Sequence, residues 1–487
     1  MATAAVLTVV EPMSNGIGGD AFAIVWFKDK LYGLNGSGYS PENINIDKIK
    51  DMGYDKMPKS GWIPITIPGQ PKAWADLVNR FGNLTLKENL QPAINYAKNG
   101  FVVSPTIGVL WEKYLNKHLN EYSKSSVFDE WFNTFTNDKK AYEFGDLVKF
   151  PNHAKTLELI GSTNAESFYK GEIAKKIVDQ SVKEGGFLSL KDLRDYETQW
   201  VEPISINYKG YDIWEIPPNG QGLVALMTLN ILNNCDFEER ENSKTYHKMF
   251  EAMKMGFSDG FKIITDPNDM KQDVNEYLCK QYGLKRSNEI EDRAKHPDNI
   301  DPYSSGTVYL CAADKDGNMV SYIQSNYMDF GSGIVVKDYG ISLQNRGADF
   351  SLDKNAVNAL KPKKRSYHTI IPGFITKGNK PICAFGVMGG YMQPQGHVQV
   401  VTNLIDFKLN PQMALDAPRW QWKRGKSFIV EPEFDKKIVD ELIKMGHEVS
   451  FANDRYSFGR GQIILFDEKG FYVGGVESRA DSNICSY

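Results

Sequence analysis

Apolar and polar positions alternate in two distinct rhythms along this chain, and the rhythm changes at identifiable points. Residues 21–27 and 30–34 are short apolar runs flanking a turn, which predicts a strand pair. Apolar residues then recur every three or four positions, predicting amphipathic helices over 71–81, 88–97, 105–119 and 172–182. Residues 221–232 are nearly all apolar and predict a buried helix behind the turn Pro217-Pro218-Asn219-Gly220, and 243–261 continue the helical layer. Periodicity is lost over 284–306, a polar stretch with Pro297 and Pro302 that reads as a linker. At Thr307 the character changes: 308–313 predict a strand, 314–318 a turn and 319–324 the return strand. Further strands are predicted at 333–336, 341–344, 370–375, 382–387, 462–466 and 471–474, and helices at 397–404 and 436–445. Helices, then strands, then helices imply stacked α and β layers.

Composition narrows the function classes. A chain of 487 residues that is 41% hydrophobic can bury a sizeable core, and a net charge of -4 gives no reason to expect nucleic acid or an anionic membrane as partner. No apolar run reaches the roughly 18 residues of a membrane span. The first residues lack a basic segment and meet Glu11 early, unlike a signal peptide. Five scattered cysteines form no Cys-x-x-Cys pair, which argues against a zinc ribbon or a disulfide framework. These features together predict a soluble cytoplasmic protein. The glycine turn Asn15-Gly16-Ile17-Gly18-Gly19-Asp20 is a poor dinucleotide fingerprint, because Ala21 and a strand follow it. Asp314-x-Asp316-x-Asn318 opens like a calcium loop, but Met319 stands where glycine is required, so it reads as a hairpin turn. The basic cluster from Lys361 to Arg365 reads as a solvated loop. Neither a cofactor nor a metal is expected.

What remains is the Gly306-Thr307 step, where the linker ends and a strand begins. A threonine freed at a chain start carries a hydroxyl nucleophile and an α-amine whose reference pKa is about 7.7–8.0. Nucleophile and base then come from one residue. Breaking the bond before Thr307 would create such a residue.

Ser304-Ser305-Gly306-Thr307-Val308-Tyr309, followed by Asp314-Lys315-Asp316-Gly317-Asn318, resembles the processing site of the gamma-glutamyltransferases. The same family is resembled, in the same order, by Val9-Val10-Glu11-Pro12 with Gly16-Ile17-Gly18-Gly19, Pro68-Gly69, Phe168-Tyr169-Lys170-Gly171 and Pro217-Pro218. After Thr307 come Phe330-Gly331-Ser332-Gly333, Asp349-Phe350-Ser351, Gly389-Gly390 and Ala414-x-x-Ala417-Pro418-Arg419. The stretch from Gly389 to His397 points to a divergent, gamma-glutamyltransferase-like branch.

The resemblance implies the αββα sandwich of N-terminal-nucleophile hydrolases, with 1–306 as the large subunit and 307–487 as the small one, intertwined in one domain. It makes Thr307 the nucleophile, Ser325 a hydroxyl assisting cleavage, Gly389 and Gly390 the oxyanion-binding pair, and Asp349 the acceptor of the glutamyl α-amino group. Other substrate positions depart from the family. Gly36-Ser37-Gly38-Tyr39 lacks the arginine that holds the glutamyl α-carboxylate. Tyr327 replaces an asparagine, Arg346 a glutamine, and His368 and Thr369 a serine pair that follows a Lys-Arg step. Arg346 is either a relocated carboxylate anchor or a salt-bridge partner of Asp349, and His368 either a pocket wall or a catalyst. The implied reaction is hydrolysis of gamma-glutamyl amides such as glutathione, with water or an amine as acceptor. The alternatives are an acylase taking another acyl group, such as a dicarboxylic or beta-lactam side chain, and an uncleaved homologue used for binding.

Overall fold

Side-chain alternation along the strands sorts the core into three slabs. The computed structural model describes residues 1–297 and 306–486. Along Asp20–Phe27, the side chains of Phe22, Ile24 and Trp26 face one way and those of Ala21, Ala23 and Val25 the other. Along Pro381–Met388, Ala384 and Met388 face one way and Cys383, Phe385 and Val387 the other.

The first sheet runs, in spatial order, Gln199–Val201, Lys30–Gly36, Asp20–Phe27, Met319–Ser325 and Val308–Ala313. The second runs Tyr472–Val476, Arg460–Phe466, Pro381–Met388, Gly373–Thr376, Tyr211–Glu215 and Ile204–Tyr208. Neighbours in both are antiparallel. Phe22, Ile24, Trp26, Tyr309 and Ile323 meet Ile216, Ile370, Phe374, Ala384 and Met388 between the sheets. The approach is close at Gly386, where a Cβ would stand 2.4 Å from the Tyr309 ring.

Helices cover both outer faces. Ala2–Val10, Gln70–Phe81, Leu86–Asn99 and Pro151–Ser162 close the first sheet. Gly222–Leu232, Ser243–Ile263 and Met392–Ile405 close the second. The architecture is therefore the αββα sandwich. Every residue of Gly222–Leu232 is buried, as its nearly all-apolar sequence requires.

Several sequence-based boundaries move. Residues 284–287 belong to the helix Lys280–Ser287, so the stretch without regular structure starts later than 284; positions 298–305 lie outside the described residues. The 333–336 and 341–344 runs shrink to the two-residue pair Val335–Val336 and Ile341–Ser342. The helix expected from 397 begins at Met392, because Pro394 sits in its first turn, where no intrahelical N–H donor is needed. The strands between Gln199 and Glu215 and the helix Pro151–Ser162 were not legible as periodic stretches.

Candidate active site

Strand register carries three polar side chains to one end of the inter-sheet space. Asp20 pairs with Ser325, and Val308 with Gln324, which sets Thr307 beside Ser325 on the opposite flank. Each lies two residues from an inward-facing apolar side chain (Phe22, Ile323 and Tyr309), so all three face inward, and all three are buried. The facing end of the second sheet is built from the turn after Pro381–Met388 and the segment entering Gly373–Thr376. Gln221 ties these together, donating from Nε2 to Thr369 O at 2.6 Å and to Gly390 O at 2.9 Å.

The chain is uncut in this structure, and Thr307 already bears on the bond before it. Its Oγ1 lies 2.5 Å from Gly306 O and 3.1 Å from Ser325 Oγ. Ser325 Oγ accepts the Tyr327 N–H at 2.8 Å, which directs its own proton to Gly306 O, 2.9 Å away. Tyr327 holds that N–H in place with φ +76°, a conformation rare for a bulky residue.

Gly389 and Gly390 take φ +137° and +60°, backbone that side chains disfavour. The N–H groups of Met392 and Gln393 donate to their carbonyls. The bonds that fix this turn therefore use its oxygens.

Asp349 is already engaged. Tyr327 OH donates to its Oδ1 at 2.6 Å, Tyr391 OH lies 3.5 Å from the same oxygen, and Arg346 Nη1 is 3.4 Å from Oδ2. Arg346 also donates to Thr369 Oγ1 at 3.0 Å and lies over the Tyr327 ring, with Cζ 3.7 Å from the centroid. Of the two readings of Arg346, the salt bridge to Asp349 is formed in the uncut chain.

His368 Nε2 lies 3.0 Å from Asp20 Oδ2, while its Nδ1 accepts the Ile370 N–H, so the proton belongs on Nε2. Burial pushes the Asp20 carboxyl up to about 7, against the pull of Arg346, the Gly69 and Gly38 N–H groups and Arg365. Burial, reinforced by Arg346 and Arg365, holds His368 well below the usual imidazole value. Ser37 is a scaffold within this arrangement: its Oγ donates to Asn35 Oδ1 at 2.6 Å and its carbonyl receives Tyr196 OH and Arg365 Nε.

Sequence reasoning missed Asp20, Gln221, Tyr391 and Arg365. Asp20 directly follows the Gly16-Ile17-Gly18-Gly19 stretch that carried part of the family resemblance, which stopped short of it. The basic cluster is solvated only in part: Lys364 and Arg365 are 3% and 0% exposed. Among the described residues, His247, Glu251 and His447 are the trio whose donor atoms lie close enough for a metal. There Lys254 Nζ stands 2.6 Å from Glu251 Oε1 and the two imidazoles hydrogen-bond at 2.8 Å, so an ammonium already supplies the cation. His247 and Glu251 lie on the outer helix Ser243–Ile263, and His447 directly precedes the strand Glu448–Phe451.

A family model described as gamma-glutamyltranspeptidase matches residues 1–487. A glutathione hydrolase-like YwrD proenzyme of Bacillus subtilis is 36% identical, covering 99% of this chain and 92% of its own. An oxamate amidohydrolase proenzyme of Klebsiella pneumoniae is 28% identical, covering 100% and 93%. The crystal structure of a cephalosporin acylase from Bacillus halodurans superposes with a TM-score of 0.97 at 51% identity, covering 100% of this chain and 90% of that one.

Proposed function

This chain belongs to the gamma-glutamyltranspeptidase family, and from that premise we propose that it is a self-cleaving amidohydrolase whose nucleophile is Thr307. In maturation, Thr307 Oγ1 attacks the Gly306 carbonyl carbon and Ser325 donates to the oxygen as it becomes negative. Collapse breaks the Gly306–Thr307 C–N bond, the hydroxyl proton passing to the nitrogen, and leaves a free α-amine and an ester on Thr307. Water hydrolyses that ester, releasing the Gly306 carboxylate and restoring the Thr307 hydroxyl. In turnover the same hydroxyl attacks a substrate amide, its amine accepts and returns the proton, and the Gly389 and Gly390 N–H groups receive the oxyanion. Water or an amine acceptor then releases the acyl group.

The observation that carries this reading is the contact of Thr307 Oγ1 with Gly306 O and Ser325 Oγ, at 2.5 and 3.1 Å. Its test is incubation of the purified 55.0 kDa chain, followed by mass measurement and N-terminal sequencing. Two pieces, the smaller starting Thr-Val-Tyr-Leu, are expected; a chain that stays whole would sink the proposal. Gamma-glutamyl amides, glutathione among them, are the first substrates to assay.

The second reading, an acylase for a different acyl group, is favoured by a specific observation. The carboxylate expected to receive the glutamyl amino group, Asp349, is occupied by Arg346 and Tyr327. The relatives named as acting on oxamate and as a cephalosporin acylase fit that reading. Five free cysteines suit a reducing compartment, and the proposal places the enzyme in the cytoplasm.

A further inference from the structure

Glu215 and His397 are fully buried ionisable side chains that take no part in the chemistry above. His397 Nδ1 donates to Glu215 Oε1 at 2.6 Å. Their other polar atoms, Glu215 Oε2 and His397 Nε2, have no hydrogen-bond partner among the described residues. Burying such a half-satisfied pair is costly, and apolar side chains of similar volume would fill the space at less cost. What the pair adds over apolar packing is direction, because one short bond fixes where two segments stand relative to each other.

The segments it joins are those that flank the Gly389–Gly390 turn. Glu215 ends the strand Tyr211–Glu215; Ile213 faces the outer helices, so Glu215, two residues on, faces them too. His397 lies in the second turn of the helix Met392–Ile405, which begins just after Gly390. Gly396 seats this helix close on the strand Pro381–Met388, where a Cβ would stand 2.6 Å from Val387 Cγ1. The Phe385 ring lies against the imidazole, with centroids 5.0 Å apart. The helix Gly222–Leu232 starts against the carboxylate: a Cβ at Gly222 would stand 3.1 Å from Glu215 Oε2, so the positive end of the helix favours the anion. Burial pushes the Glu215 carboxyl up, and His397 draws it back in part. Shortly after Glu215 in the chain comes Gln221, whose Nε2 reaches Gly390 O. The stretches 215–221 and 390–397 are therefore tied at both ends, and both ties run between the two pieces of the proposed cut. A lone bond at Gly390 O would leave the helix free to swing about it, and the Glu215–His397 bond removes that freedom.

We infer that Glu215 and His397 are positioning residues for turnover, which lock the helix behind the Gly389–Gly390 turn so that the N–H groups of that turn point at the oxyanion. This rests on the acyl-transfer reading above and deepens it. Maturation does not depend on the pair, because the Gly306 oxygen takes its hydrogen bond from Ser325.

The experiment compares three variants of the full chain with the wild type. Glu215→Leu breaks the tie and leaves a neutral imidazole, Glu215→Leu/His397→Phe replaces the pair by apolar groups, and His397→Asn keeps a donor near the Nδ1 position. Cutting rate, melting temperature, and kcat and KM on gamma-glutamyl and glutaryl p-nitroanilides are measured for each. Hydrogen exchange at Met392 and Gln393, whose N–H groups bond the Gly389 and Gly390 carbonyls, reads the turn without turnover. The apolar double variant should melt close to the wild type and be cut at its rate. Its kcat should nevertheless fall by roughly 10- to 100-fold with KM little changed, the worth of a slightly misplaced oxyanion donor. Exchange at the two amides should quicken, Glu215→Leu should share the kcat loss, and His397→Asn should keep most of kcat. Wild-type kcat in either leucine variant, unchanged exchange, or cutting that slows in step with turnover would overturn the inference while leaving Thr307 catalysis intact. Quickened exchange in a protein that turns over neither anilide would uphold the tie to the turn and remove the acyl-transfer reading instead.

Discussion

In the proposed cut, Thr307 and Ser325 would act through single oxygen atoms, and substitutions of those atoms test it. Thr307→Ala should remain one chain on a denaturing gel, whereas Thr307→Ser, which keeps the hydroxyl and loses a methyl, should still be cut. Ser325→Ala removes the donor 2.9 Å from Gly306 O and should slow cutting by about 10²-fold. Cutting at the wild-type rate in Ser325→Ala would show that another group supports the carbonyl. The Asp20–His368 pair makes a prediction in pH. In the unfolded chain between about 4 and 6.5 the imidazole holds a proton and the carboxylate does not; burial reverses this, raising Asp20 from 3.8 to about 7 and lowering His368 from 6.5. Both states then bind one proton, and the pair adds no slope to stability in that window. His368→Gln leaves Asp20 alone, a group protonated when folded and ionised when unfolded. Its stability relative to wild type should fall as pH rises from about 4 to about 7. Asp20→Asn leaves a histidine that is neutral when folded and protonated when unfolded, so its relative stability should rise with pH up to about 6.5. Melting temperatures of the three proteins across this range decide, and parallel curves would refute the assignment.

At the scale of elements, the turn between the strand Pro381–Met388 and the helix Met392–Ile405 carries the proposed oxyanion donors. Its direction is set by two residues at positive φ and by Gln221 reaching Gly390 O from the neighbouring helix. Gly390→Val places a β-branched side chain at φ +60° and should re-aim the N–H groups. In protein already cut, turnover should drop on the order of 10²–10³ with little change in KM. Near-normal kcat in that variant would remove the turn from the mechanism. Long periodic elements such as Gln70–Phe81 and Leu86–Asn99 were legible in the sequence, because one buried face repeats over several turns. The strands Gln199–Val201, Ile204–Tyr208 and Tyr211–Glu215 were not. They are only three to five residues long and only partly buried, so no sustained alternation marks them.

Across the whole molecule, the proposed cut would fall inside a shared core. The first sheet takes three strands from before Gly306 and two from after it; the second takes two from before and four from after. Neither piece contains either of these two sheets whole, so the cut protein should run as one body in native mass measurement and separate only in denaturant. Pieces expressed apart should fail to give a melting transition until mixed; a separate cooperative transition for either would contradict the intertwined arrangement. The sequence by itself determined the layered α and β character, the abrupt change at Thr307 and the family resemblance, because strand and helix rhythm and motif order are local along the chain. It also showed which family positions are altered, at Tyr327, Arg346 and His368. It could not show that Asp20 meets His368, 348 residues away, or that a basic cluster turns Arg365 inward beside Ser37. Those pairings depend on which strand ends the two sheets bring together, and on burial that removes solvent from charges which look ordinary in a linear chain. Tertiary structure alone decided which of these polar groups are buried together.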